Sequence, residues 1–67
     1  MEILLNNRTE HIDRDEISLS DLISLKNFTF KLLVTKVNGM LVKKEEREDY
    51  IIRHGDEVYV LHMISGG

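Results

Sequence analysis

Met1, Ile3 and Leu5 alternate with Glu2, Leu4 and Asn6, a period of two that predicts a strand with one buried face. Asn6-Asn7-Arg8-Thr9 follows as a turn, because asparagine tolerates the left-handed backbone of tight hairpins. A second strand is expected through His11, Ile12 and Asp13, with Ile12 as its inward residue. The period then changes. Over residues 17–27, Leu19, Leu22 and Ile23 stand at i, i+3 and i+4, the stripe of a helix with one buried side. Ser18 is placed to accept from the free N–H groups of the first turn, and Asp21 puts an acid at the positive helix end. Ile17 and Leu22 occupy the positions of a hydrophobic staple, and Asn27 is a left-handed stop.

Residues 28–37 are rich in aromatic and β-branched side chains and predict a strand. Asn38-Gly39 predicts a two-residue hairpin, with Met40, Leu41 and Val42 as a short return strand. The charged run 43–49 reads as a solvated loop or one helical turn, and Gly55 lets the chain reverse. Residues 57–64 form the last strand. The order is strand, strand, helix, strand, short strand, strand, which points to an α+β domain with a mixed sheet. The first and last strands are both strongly apolar. Paired in parallel, they have the helix within the long connection such pairing needs. In the last strand Val58, Val60, His62 and Ile64 share one face, and Glu57, Tyr59, Leu61 and Met63 share the other. With Val58 and Val60 inward, Tyr59, Leu61 and Met63 face out, joined by Leu4 from the first strand. An apolar outer patch of this kind suits docking onto a partner.

Composition narrows the function classes. The chain has 67 residues and no cysteine, so disulfides, thiolate metal sites, a cysteine nucleophile and a cysteine persulfide are excluded. The net charge of -3, from 9 basic and 12 acidic residues, argues against a nucleic-acid partner. No apolar run approaches the roughly 18 residues that span a membrane, and Met1-Glu2-Ile3 does not open a signal peptide. A cytoplasmic protein, monomeric on its own, is expected. His11, His54 and His62 are too dispersed for a metal motif and read as solvent-facing side chains. The carboxylates of 43–49 lie in a mixed-charge run, which gives them no burial or partner to tune them for acid–base work. No catalytic residue, bound cofactor or metal is expected.

Gly66-Gly67 close the sequence. In order along the chain stand Met1-Glu2-Ile3-Leu4-Leu5-Asn6, Ser18-Leu19 with Leu22-Ile23, Val37-Asn38-Gly39 with Val42, Tyr50-Ile51-Ile52, Gly55-Asp56-Glu57-Val58 and Ile64-Ser65-Gly66-Gly67. This combination resembles the ThiS-type sulfur carriers of the ThiS/MoaD family. The resemblance implies an α+β, ubiquitin-like β-grasp fold: a mixed four- to five-stranded sheet wrapped around one helix. It implies a folded domain over 1–64 and a flexible diglycine tail over 65–67. It implies that a ThiF-like adenylating enzyme, using ATP and magnesium, activates the Gly67 carboxylate. The acyl-adenylate then becomes a thiocarboxylate that gives its sulfur, with a ThiG-like thiazole synthase, to the thiazole of thiamine. Ser65 and Gly66 would let the tail enter a narrow channel, since neither carries a bulky side chain.

Rival functions share part of this pattern. A MoaD-like sulfur donor for molybdopterin has the same fold and tail, and a ubiquitin-like modifier of lysines begins with the same adenylation. A β-grasp binding module with an inert end is the most different alternative. Removal of Gly67 separates that module from the others.

Overall fold

The alternation at the start of the chain becomes strand β1 (Glu2–Leu5), with Ile3 and Leu5 buried and Glu2 and Leu4 exposed. The computed structural model describes residues 1–29 and 32–63. β2 (Arg8–His11) returns antiparallel, with Leu5 opposite Arg8. Between them Asn6 and Asn7 have φ of 50° and 69°, the paired positive values of a type I′ turn. Because that turn has only two residues, pairing begins at Arg8, earlier than the strand expected around His11 to Asp13. Ile12 stands just past β2 and is buried, its N–H bonded to the Met1 carbonyl at 2.8 Å.

Helix α1 (Leu19–Leu25) buries Leu19 and Leu22 completely, with Ile23 packed at the edge of the core. The Ser18 hydroxyl accepts from the Asp21 N–H at 3.0 Å, as its position predicts. Two further N–H groups at this end donate to backbone outside the helix: Leu19 to the Tyr50 carbonyl at 2.7 Å, Ser20 to the Arg47 carbonyl at 3.0 Å. Asn27 has φ of 58°, the expected left-handed stop. Replacing Ser18 by Ala should cost about 1 kcal/mol. Urea unfolding measures this, and a change below about 0.3 kcal/mol would mean the Tyr50 and Arg47 carbonyls suffice.

β4 (Leu33–Val37) and β5 (Met40–Val42) form the second hairpin, turning through Asn38 and Gly39 with φ of 51° and 83°. After a 3-10 turn at Lys44–Glu46 come β6 (Ile51–Arg53) and β7 (Glu57–His62). The main sheet has the order β2-β1-β7-β4-β5, mixed because β1 and β7 run parallel. Sequence patterning does not reveal the second sheet, where β3 (Glu16–Ser18) pairs with β6 and sets Ile17 opposite Ile52. Three-residue strands carry too little periodicity to register. Ile17 is buried as a staple residue would be, but as part of a strand.

α1 and both sheets enclose one core that includes Ile3, Leu5, Leu22, Val58 and Val60, as expected, together with Ile12, Ile17, Leu19, Val37, Val42 and Ile52. Among the described residues no helix is long and apolar enough to cross a membrane.

Candidate functional site

Strand parity sends alternate residues of β7 to opposite faces. Val58 and Val60 are buried against the helix, so Tyr59, Leu61 and Met63 lie on the outer face. Leu4 joins them from β1, whose parallel register sets Leu4 beside Glu57. Leu4, Leu61 and Met63 are 39%, 44% and 50% exposed, too open to be core, and Tyr59 is half-buried. The four residues expected to form a docking patch therefore do share one face.

Register adds residues that sequence reading misses. β4 sets Val34 opposite Leu61 and Lys36 opposite Tyr59. The Met63 N–H donates to the Leu32 carbonyl at 3.0 Å, which continues the ladder and brings Leu32 opposite Met63. β5 places Leu41 on the far side of Lys36. Two apolar cross-strand pairs, Leu32–Met63 and Val34–Leu61, thus lie toward the end of β7, with Tyr59, Leu4 and Leu41 behind them. The run Leu32-Leu33-Val34 conceals this parity because it is apolar throughout. Thr35 conceals it further, as a polar residue on the inner face. Its hydroxyl is buried and donates to the Val42 carbonyl at 2.6 Å.

Charge on the outer face is graded. Lys36 sits between Tyr59 and Leu41, while Glu2 and Glu57 mark the end nearer the β6–β7 turn. Arg47, expected within a solvated run, instead turns inward. Its Nε donates to Thr35 Oγ1 at 3.1 Å and its terminal nitrogen to the Leu33 carbonyl at 2.8 Å.

The histidines are exposed at their different places in the fold. His54 Nδ1 accepts from the Glu2 N–H at 3.0 Å and so closes the outer end of β1. Among the described residues no group of three or more His, Cys, Asp or Glu side chains could hold a metal. Ser65, Gly66 and Gly67, to which the resemblance gives the chemistry, lie outside the described residues, as does Ile64.

A family model for the ThiS family matches residues 2–67. The chain belongs to the ThiS family. Membership of the ThiS family makes it a small sulfur carrier and not a catalyst. No curated protein sequence matches it. A crystal structure of the thiamine biosynthesis protein (ThiS) from Geobacter metallireducens is similar over the whole of both chains, with 23% identity and a TM-score of 0.87. An NMR solution structure of a thiamine biosynthesis protein from the same organism is also 23% identical. It matches all of this chain and 88% of that one, with a TM-score of 0.78. At that identity the likeness establishes the fold, the ubiquitin-like β-grasp of ThiS, with its mixed sheet around one helix.

Proposed function

We propose that this ThiS-family carrier serves thiamine biosynthesis by holding sulfur as a thiocarboxylate on Gly67 for transfer into the thiazole ring. The observation that carries this reading is the family match, which runs on through Gly66-Gly67. The solved relatives, described as thiamine biosynthesis proteins, support the choice of pathway. Residues 1–64 are the folded handle and 65–67 the reactive arm.

The chemistry follows from the poor reactivity of a carboxylate. A Gly67 carboxylate oxygen attacks the α-phosphorus of ATP on a ThiF-like partner, and pyrophosphate leaves with magnesium. The terminal sulfur of a persulfide then attacks the acyl carbon and displaces AMP. A thiol reduces the resulting acyl disulfide, releasing the thiocarboxylate and leaving as a mixed disulfide with the sulfur donor. The reacting carbon must reach the partner's nucleotide. Gly66 and Gly67 present no Cβ to obstruct a narrow channel, and Ser65 presents little more. The outer apolar face supplies docking through Leu4, Tyr59, Leu61 and Met63, extended by Val34, Leu32 and Leu41.

Pathway is tested by following the sulfur. Charged with labelled sulfur and mixed with a ThiG-like thiazole synthase and its other substrates, the protein should pass the label into a thiazole. Label reaching molybdopterin but not thiazole would reassign it as a MoaD-like donor. Lysine-linked conjugates without a thiocarboxylate would reassign it as a modifier.

Docking has its own test. Leu61→Asp puts a charge at the centre of the outer face and leaves the reacting carboxylate unchanged. KM for the chain as substrate of the adenylating enzyme should rise at least about tenfold, the scale of a central interface residue, with the fold retained. An unchanged KM would place docking elsewhere.

A further inference from the structure

The parallel pairing of β1 with β7 ends sooner than β7 does. The Asn6 N–H donates to the Val58 carbonyl at 2.9 Å. There β1 turns away into its hairpin while β7 runs on to His62. Val60 is the next residue of β7 whose backbone points toward β1, and one side chain takes both of its polar groups. Asn6 Nδ2 donates to the Val60 carbonyl at 3.1 Å, and the Val60 N–H donates to Asn6 Oδ1 at 2.8 Å. A carboxamide offers one donor edge and one acceptor in a plane, as a peptide group does. Asn6 therefore extends the ladder of β1 past the point where its own backbone, at φ of 50°, has turned back. Aspartate lacks the donor and glycine lacks both groups, so among residues suited to a left-handed position asparagine alone supplies the pair.

On the other side β7 is held by β4 as far as the bond from the Met63 N–H to Leu32. Asn6 closes the side that β1 leaves open. Val60 directly precedes the outer residue Leu61 and stands three residues before Met63 and seven before Gly67 in the sequence.

We infer that Asn6 is a positioning residue for activation of the chain: its carboxamide clamps Val60 and fixes the line along which β7 delivers the residues that follow. The inference rests on the carrier reading of Gly67. Loosening one edge of β7 leaves the apolar face able to dock, whereas in-line attack on a phosphate depends on placement within about an ångström. The effect therefore falls on kcat and not on KM.

Three variants of the full chain test this with a ThiF-like adenylating enzyme, ATP and magnesium, read by pyrophosphate release. Asn6→Gly keeps the left-handed turn and removes the clamp. Asn6→Asp keeps the acceptor for the Val60 N–H and sets a carboxylate oxygen against the Val60 carbonyl. Asn7→Gly alters the same turn, at φ of 69°, and leaves the clamp intact. Both Asn6 variants should lose about tenfold in kcat with KM changed by less than about twofold, and Asn7→Gly should match the unmodified chain. In Asn6→Gly the Val60 amide should exchange with solvent about tenfold faster, the result of losing its acceptor. Unchanged kcat in both Asn6 variants, or an equal loss in Asn7→Gly, overturns the role of Asn6 and leaves the carrier reading standing. No activation of the unmodified chain removes the carrier reading and the positioning role with it.

Discussion

A chain lacking Gly67 should form no productive adenylate and gain no sulfur, while its thermal unfolding stays that of the full chain. The two outcomes separate because, among the described residues, the last buried member of the core is Val60, seven positions before Gly67. Truncation moves the carboxylate back by one residue, a shift of up to about 3.5 Å. A displacement of even about 1 Å can cost about a hundredfold in rate, so activity should fall below detection. Gly66→Leu should fail for a different reason. Its carboxylate is in place, but the added side chain must pass where glycine leaves room. Pyrophosphate release with either variant at more than about a tenth of the normal rate would contradict the arm's proposed role.

Leu22→Ala should have the largest effect on stability. Leu22 is fully buried at the centre of a helix only seven residues long. Such a helix is not stable alone and depends on the contacts its buried stripe makes with the sheet. Truncating a buried leucine costs about 2–5 kcal/mol, against about 5–15 kcal/mol for the whole stability of a typical domain. At about 4–8 °C per kcal/mol for a domain of this size, the melting temperature should fall by at least about 8 °C. Scanning calorimetry checks this, and a fall below about 2 °C would show that the surrounding side chains close the cavity.

What was legible in the sequence depended on how many residues reported each element. The first and last strands each show several alternating positions, so Ile3, Leu5, Val58 and Val60 could be assigned to one core. Asn38-Gly39 fixed its hairpin because positive φ at two successive residues suits few sequences. The helix was bounded by chemistry at both ends, through Ser18 and Asn27. β3 and β6 escaped because each is three residues long and borders a turn or a charged segment. Arg47 escaped for a related reason. Its carbon stem and planar donors let a charged residue reach Thr35 and Leu33 from within a polar run, and no periodicity announces that. Half of the outer face was visible through the parity of β7. The other half needed the pairing of β4 with β7, which a continuous apolar run does not encode.

The most direct measurement is the intact mass of the protein after incubation with a ThiF-like enzyme, ATP, magnesium, a persulfide sulfur donor and a thiol reductant, followed by fragmentation. The carrier account predicts a mass with one oxygen exchanged for sulfur, and the change confined to the fragment that ends in Gly67. An unchanged mass in a folded chain with a free Gly67 carboxylate, incubated with an enzyme that charges another ThiS-family protein, would contradict it.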